Sequence, residues 1–233
     1  MEVLVIDRLT IKPRAIQFRG PAAALVNSAG TRHITRMEPQ PADIDRTRQI
    51  MDTTEALLVE RKTVAIPLND IAQRVGVSRS LLYVYFEGVP EILDALFREH
   101  AHRLEHAVLP NLSHPEPYRA RLTGIATAYL AYLIEAGPIL NLLLRERHQD
   151  SPLSTESKVL FRRLMRALAT DMRSSLDLSS REAFVLLELV SAIPEALARL
   201  VRNTQIDRET AEQTCARLVG VATDAFPPKT TNG

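Results

Sequence analysis

The segment from Pro67 to Phe86 constrains the fold of this chain more than any other, because its residues predict two short helices joined by a tight turn. With Leu68 as the first helical residue, the apolar side chains of both helices share one interior face: Ile71, Val75, Leu82 and Phe86. Gly76 stands where the first helix must end in a left-handed residue, which glycine adopts most easily. Ser78 is a suitable N-cap for the second helix. Such a helix pair is the minimal device that places one helix in the major groove of DNA.

The outer face of the second helix carries side chains that can bind a nucleic acid. Arg79 and Tyr83 lie one helical turn apart and project together, with Ser80 beside them. An arginine near the start of a recognition helix can bind guanine or a phosphate, and a tyrosine hydroxyl can reach a phosphate. The sequence therefore predicts a DNA-binding helix. The other interpretation is a plain helical corner whose polar side chains are only solvated.

At these residues the chain resembles the TetR family of bacterial transcription regulators. The resemblance covers residues 43–105 and rests on Ile71-Ala72, Gly76-Val77-Ser78, Leu82-Tyr83-Val84-Tyr85-Phe86, and a first helix with Arg46, Arg48, Ile50, Met51, Leu57 and Leu58. It implies DNA contacts at Arg79, Ser80, Tyr83 and Tyr85 and a phosphate contact at Asn69. Arg46, Arg48 and Ser78 complete the predicted DNA-binding set.

The chain departs from the family pattern at three positions. Pro67 replaces the usual Ser or Thr cap, Lys62 stands where the first helix usually ends in glycine, and Glu87 opens a turn that is usually rich in lysine. Residues 43–108 hold eight Lys/Arg and eleven Asp/Glu, a net charge of −3. Because phosphate contacts provide most non-specific affinity, we expect modest non-specific DNA binding and a reliance on dimerisation.

Helical periodicity and helix caps continue from Asp43 to the last residues, without a hairpin or a βαβ pattern. We therefore predict an all-α fold. An N-terminal three-helix helix-turn-helix DNA-binding domain at 43–89 is followed by a helical ligand-binding and dimerisation domain at 90–226, and residues 227–233 form a disordered tail. The helix that opens near Pro90 is expected to end at about Val108, before Pro110. Ser179 and Glu182 have the spacing of a capping box, and Asp207 is placed to cap the last helix.

Residues 1–42 are basic, with a net charge of +3, and contain four prolines. Three interpretations stay open for this N-terminal extension. It is expected to be disordered, with Met37 as the true start of the protein. It could instead form a basic arm that follows phosphates or a minor groove. The third interpretation is an organelle-targeting peptide, because no acidic residue lies between Asp7 and Glu38.

The last two helices combine small residues with apolar side chains, which permits close helix packing. The family resemblance implies that they form a four-helix bundle with a second subunit. The predicted interface residues are Leu189, Ile193, Leu197, Leu218 and Val221. Two copies of the reading helix would bind half-sites about 34–36 Å apart. The helix from Pro90 to Val108 joins the DNA-binding domain to the rest of the chain. We therefore expect a movement of this helix to change the separation of the two reading helices.

Polar and aromatic side chains interrupt the apolar helices between residues 90 and 200. We predict that they line a ligand cavity: His100, Tyr129, Tyr132, Arg145, Phe161, Met165 and Glu188. Aromatic residues make up only 5% of the chain and tryptophan is absent. This composition favours an aliphatic ligand over a stacked aromatic one.

Other chemistry has little support in the sequence. His102 and His106 have i,i+4 spacing but no third metal ligand from another segment, so no metal is predicted. Ser154, His148 and Asp150 lie in a turn without an oxyanion-hole pattern, so the chain is not predicted to be an enzyme. The single cysteine, Cys215, lies in an apolar stripe and suits a reducing compartment.

Together these observations predict a cytoplasmic transcription regulator that needs no cofactor. Its expected partners are double-stranded operator DNA, a second copy of the chain and a small-molecule inducer, with no membrane partner. The expected mechanism is that of a homodimeric repressor released from a near-palindromic operator by the ligand. The alternative is a helical dimeric adaptor or ligand-binding protein that does not bind DNA.

Overall fold

The computed structural model describes residues 25–26, 32–33, 41–112, 114–145 and 153–226. Within these residues the chain forms nine α-helices and one pair of two-residue strands, which confirms the all-α class. The helices are α1 (Pro41–Arg61), α2 (Leu68–Val75), α3 (Arg79–Tyr85), α4 (Val89–Leu112), α5 (Tyr118–Ala136), α6 (Ile139–Arg145), α7 (Thr155–Leu176), α8 (Ser180–Arg202) and α9 (Arg208–Asp224).

A short antiparallel strand pair precedes α1. Strand β1 (Leu25–Val26) pairs with β2 (Arg32–His33), with Leu25 opposite His33. This strand pair was not predicted, because two residues on each strand are too few to show an alternating pattern. The rest of the predicted N-terminal extension up to residue 40, including Met37, lies outside the described residues, as does the predicted tail at 227–233.

The chain divides into two compact units. The first comprises Met1–Phe97 and Asn141–Leu153, and the second comprises Arg98–Leu140 and Ser154–Gly233. Helices α1, α2 and α3 belong to the first unit, and α5, α7, α8 and α9 belong to the second. Helix α4 runs without a break from the first unit into the second.

The core of the first unit consists of the apolar faces that the sequence predicted. In it α1 packs against α2, and α2 packs against α3. The side chains that are almost completely buried there include Ile50, Met51, Leu57, Leu58, Ile71, Leu82, Phe86, Ile92 and Leu96. Burial of each such side chain contributes about 1.5–3 kcal/mol relative to exposure. This core holds the two short helices of the motif, which would not be stable as isolated segments.

In the second unit, α5 packs against both α8 and α9, and α7 packs against α8. Helix α5 approaches α9 closely at Gly220, where an added Cβ would lie 2.7 Å from Nη2 of Arg119. The same arginine donates to Asp224 at 2.8 Å. Arg202 on α8 donates to the carbonyl of Leu133 on α5 at 2.8 Å. These contacts tie the helices together around an apolar interior.

Several helix ends follow the sequence prediction. Ser179 and Glu182 form the expected capping box at the start of α8. The carboxylate of Asp207 accepts the backbone N–H of Thr210 at 2.7 Å and caps α9. This hydrogen bond favours the charged form, so it lowers the pKa of Asp207 below its ordinary value.

Two helix boundaries differ from the prediction. Helix α1 begins at Pro41 rather than at Asp43, because proline fits the first turn of a helix, where its missing N–H has no intrahelical partner. Helix α4 continues through Pro110 to Leu112 instead of ending near Val108. Proline deprives the carbonyl of His106 of its helical donor, and His106 is exposed, so water can replace that hydrogen bond.

Candidate DNA-binding interface

The turn between α2 and α3 has the geometry that its sequence predicted. Gly76 is left-handed, with φ 77° and ψ 35°, and its N–H reaches the carbonyls of Ala72 and Gln73. Val77 also donates to Ala72 at 3.0 Å, which completes a Schellman-type end of α2. Ser78 caps α3 by accepting the backbone N–H of Leu81 at 3.2 Å. The turn therefore fixes the direction of α3 relative to α2.

The outer face of α3 lies in solvent. Arg79 and Ser80 are exposed, and Tyr83 is 52% exposed. Nη2 of Arg79 lies 3.5 Å from the hydroxyl of Tyr83, so the two side chains project together as predicted. Asn69, in the first turn of α2, is also exposed. These four side chains offer cationic and polar groups to a ligand that meets α3 from outside.

The two predicted arginines of α1 already have partners inside the first unit. Arg46 is half-buried and donates to Oε1 of Gln49 at 2.6 Å. Arg48 is exposed and lies 3.6 Å from Asp52. Ion pairs of this exposed kind contribute only about 0–1 kcal/mol, so DNA phosphates can compete for Arg48.

Tyr85 differs from the other predicted contacts because it faces α1. Its hydroxyl donates to Oδ1 of Asp43 at 3.2 Å, and its side chain is half-buried. Burial and this hydrogen bond raise the pKa of Tyr85 above its ordinary value. The sequence did not single out Asp43 as a functional residue, because the contact joins positions 42 residues apart.

Two other arginines of the first unit are held in ion pairs. Arg61 donates to Asp70 at 2.5 Å, and Arg74 donates to Glu60 at 2.8 Å. Glu87, in the turn after α3, is exposed, and its N–H donates to the carboxylate of Glu91 at 2.5 Å. The positive charge on the outer face of α3 therefore comes from Arg79.

Three of the predicted ligand residues come together in the second unit. His100 is fully buried, and its Nδ1 lies 3.0 Å from the hydroxyl of Tyr132. Tyr132 stacks on Tyr129 with ring centroids 6.4 Å apart. The Tyr129 hydroxyl donates to Oε1 of Glu195 at 3.0 Å. Glu195 was missed in the sequence because it faces Tyr129 only through the packing of α8 on α5.

The remaining predicted ligand residues are more scattered. Phe161 and Met165 are half-buried on α7, whereas Glu188 is exposed on α8. Arg145 ends α6, and its side chain lies outside the described residues.

The predicted dimer residues do not all share one environment. Leu189, Leu218 and Val221 are 63%, 49% and 67% exposed. Ile193 is half-buried, and Leu197 is only 7% exposed because it packs within the chain. Two apolar residues of α8 that the sequence analysis did not select extend the exposed row, Phe184 at 58% and Val185 at 49%. The i,i+4 spacing of Val185 to Leu189 is the signal that could have identified Val185.

Three of the residues considered for other chemistry lie in ordinary structural surroundings. Nδ1 of His102 lies 3.5 Å from Glu105, and no cluster of three His, Cys, Asp or Glu suited to a metal occurs among the described residues. Ser154 caps α7, while His148 and Asp150 lie outside the described part of the chain. Cys215 is buried, and burial raises the pKa of its thiol to about 11. Among the helices that the structure describes, none is long and apolar enough to cross a membrane.

Comparison with known proteins identifies the first unit. Residues 50–96 match the family model of bacterial regulatory proteins of the tetR family. This stretch contains the second half of α1, the whole α2-turn-α3 motif and the first third of α4. A search of the curated proteins gives no match.

Solved structures resemble the chain over most of its length. A TetR-like transcriptional regulator from Rhodococcus sp. RHA1 has a TM-score of 0.62 and 18% identity, over 82% of this chain and 100% of that chain. A TetR family transcription regulator from Marinobacter aquaeolei VT8 has a TM-score of 0.61 and 17% identity, over 78% and 96%. The fatty acid degradation regulator FadR from Bacillus halodurans has a TM-score of 0.59 and 15% identity, over 79% and 97%. At identities this low, the structural similarity shows a shared fold alone.

The family match and the geometry of the motif agree. Members of this family are transcription factors rather than enzymes, in line with the sequence prediction. The matched residues include the left-handed Gly76, the Ser78 cap and the exposed Arg79 and Tyr83. Residues 50–96 therefore carry a tetR-family helix-turn-helix, in a chain that has the fold of TetR-family transcriptional regulators.

Proposed function

We propose that this regulator is a homodimeric repressor that leaves a near-palindromic operator when a small molecule binds to its second unit. The observation that carries the proposal is the exposed face of α3, on which Arg79, Ser80 and Tyr83 stand free of the core. Arg79 lies at the start of the helix, where a guanidinium can bind guanine O6 and N7. Tyr83 lies one turn later and can donate to a phosphate.

The exposed apolar row on α8 and α9 supports a second copy of the chain as partner. Phe184, Val185, Leu189, Leu218 and Val221 are each between 49% and 67% exposed. Because α8 packs against α9, these side chains can form one apolar patch, which monomeric proteins seldom leave in water. A two-fold axis would pair each patch with its own copy and close the assembly at two subunits.

Dimerisation gives the reading helices a fixed separation. Two half-sites about 34–36 Å apart would be read together, and the operator would share the two-fold symmetry of the protein. Helix α4 is continuous from Val89 to Leu112 and contains residues of both units, so its position can transmit a change in the second unit. A ligand that binds the mis-spaced state about 100-fold more tightly would supply about 2.7 kcal/mol for release.

The His100–Tyr132 and Tyr129–Glu195 hydrogen bonds support a ligand site within the second unit. These buried and half-buried polar groups can bind the polar end of a small molecule, whose aliphatic part would contact Phe161 and Met165. One neighbour of similar fold is named as a fatty acid degradation regulator, and an aliphatic ligand agrees with that name. We propose a straight-chain carboxylic acid or its derivative as the inducer class.

The adaptor alternative is weaker. The net negative charge of residues 43–108 is its main support. An adaptor without DNA binding would have no need for an exposed Arg79–Tyr83 pair on a capped helix within a family of DNA-binding regulators. We further propose that the protein acts in the cytoplasm, where bacterial chromosomal DNA is found.

A footprint on the DNA that flanks its own gene tests the proposal. We expect two protected half-sites related by a near-palindrome, with one dimer bound. Adding straight-chain carboxylic acids of increasing length should release the DNA and raise the melting temperature of the free protein. Protection of a single half-site would contradict the dimeric mechanism. Release by none of the acids, with no thermal shift, would contradict the ligand class.

A further inference from the structure

The hydroxyl of Tyr85 is already engaged in the structure of the free chain. Tyr85 is the last residue of α3, and it donates to Oδ1 of Asp43 in the first turn of α1 at 3.2 Å. The contact closes the edge of the first unit where the end of α3 meets the start of α1. Both residues belong to this one unit.

The direction of this hydrogen bond is fixed by its chemistry. An ionised carboxylate can only accept, so the tyrosine hydroxyl must be the donor. A phenol has one proton to donate, and burial and the contact with Asp43 raise the pKa of Tyr85, so that proton is retained. While it points at Asp43, Tyr85 cannot donate to a DNA phosphate.

The charge of Asp43 acts in the same direction. A carboxylate beside a phosphate-binding edge repels the backbone, and the repulsion grows as water is excluded between them. Arg46 lies one turn further along α1. Its positive charge lowers the pKa of Tyr85, but by less than burial and Asp43 together raise it. The Tyr85 edge therefore offers a phosphate an occupied donor and a nearby negative charge.

We infer that Asp43 restrains the affinity for DNA by holding the Tyr85 hydroxyl away from the phosphate backbone. This inference rests on the proposed function and extends the DNA contacts of α3 to Tyr85. Phosphate contacts carry no sequence information, so the restraint acts equally on every duplex. The restraint would weaken non-specific binding, and the outer face of α3 would still discriminate between DNA sequences. Weaker non-specific binding is an advantage for a protein that must find one site among the many competing sites of a genome.

The test compares Asp43→Ala with Asp45→Ala. Asp45 is exposed in the same turn of α1, so both variants lose one negative charge from the helix start. Each is combined with Tyr85→Phe, which removes only the hydroxyl. Binding to a fluorescent duplex of arbitrary sequence and to the duplex that flanks the gene is measured by anisotropy over a range of salt. Circular dichroism and thermal melting verify that each variant is folded.

We expect Asp43→Ala to bind both duplexes about five- to ten-fold more tightly, as one charge-assisted phosphate contact is gained. Asp45→Ala should change binding less than two-fold. Tyr85→Phe should abolish the gain in the Asp43→Ala background. Equal effects of Asp43→Ala and Asp45→Ala on binding would overturn the inference and leave the proposed function standing. A gain in affinity that persists in the Tyr85→Phe background would do the same. If the wild-type chain binds neither duplex, the proposed function fails and the inference fails with it.

Discussion

Arg121 on α5 and Asp171 on α7 form an ion pair at 2.8 Å, in which the two side chains are only 18% and 23% exposed. The same guanidinium donates to Ser175 at 3.3 Å and lies 5.3 Å from the ring centroid of Tyr118. Burial raises the pKa of Asp171 even though Arg121 lowers it. The cost of burying the carboxylate therefore exceeds the gain from its partner.

This balance predicts different effects for two substitutions of Asp171. Asp171→Asn keeps an acceptor for Arg121 and should change the free energy of unfolding at neutral pH by less than about 1 kcal/mol. Asp171→Ala removes the acceptor and leaves a half-buried guanidinium, so it should cost about 1–3 kcal/mol. Urea denaturation measures both values. A larger loss for Asn than for Ala would contradict the explanation.

The pH dependence has a defined sign. Because the folded pKa of Asp171 lies above its ordinary value, the folded state binds the proton more tightly than the unfolded state. Wild type should therefore lose stability relative to Asp171→Asn as the pH rises from the ordinary pKa of an aspartate through the raised pKa of Asp171 in the folded state. Urea curves at several acidic pH values follow this difference.

Lys62 provides a test of backbone conformation. It follows α1 with φ 55°, a left-handed conformation that is unfavourable for a residue with a Cβ, and its N–H donates to Leu58 at 2.9 Å. Lys62→Gly should therefore be more stable than Lys62→Ala by about 1 kcal/mol. Both variants lose the same charge, so the difference in melting temperature reports the Cβ alone. Equal stabilities would show that the left-handed residue carries no strain.

The Ser78 cap separates stability from DNA binding. Ser78→Ala removes the acceptor for the N–H of Leu81 and should cost about 1 kcal/mol of stability. Ser78→Asp retains a capping oxygen, so its stability should be close to that of wild type. Its added negative charge lies beside Arg79 and should weaken DNA binding about ten-fold. Thermal melting and anisotropy distinguish the two effects, and tight DNA binding by Ser78→Asp would place the interface elsewhere.

The exposed row on α8 and α9 can be tested by charge insertion. Leu189→Glu and Val221→Glu should convert the proposed dimer into a monomer, because each would place two carboxylates across its two-fold axis. Val159, on α7, is 52% exposed and gives a matched control, since Val159→Glu should remain dimeric. Sedimentation velocity measures the mass directly. The interface would have to lie on another surface if Val159→Glu were monomeric. The same would follow if Leu189→Glu and Val221→Glu both remained dimeric.

Local features of this chain were readable from its sequence, because they depend on near neighbours. The left-handed Gly76, the Ser78 cap and the Ser179–Glu182 capping box involve residues no more than five positions apart. The buried stripe of α4 was predictable for the same reason, since Leu96 and His100 recur at helical spacing.

The remaining features depend on tertiary packing that no local pattern encodes. Tyr85 meets Asp43 across 42 residues, and Tyr129 meets Glu195 across 66. Both tyrosines were selected from the sequence, but their carboxylate partners were not. Leu197 shows the converse, because its helical spacing matched the predicted dimer face and it packs inside the chain instead. Helical periodicity identifies an apolar stripe without saying which helix covers it.

The most direct test of the central claim is salt-dependent binding to the DNA that flanks the gene, measured for wild type and for Arg79→Ala/Tyr83→Ala. Arg162→Ala, an exposed cation on α7, serves as the control for lost charge. We expect wild type and the control to bind tightly and to weaken alike as salt rises, whereas the double variant should lose at least about 100-fold in specific affinity. Specific binding by the double variant equal to that of wild type would contradict the assignment of α3 as the reading helix.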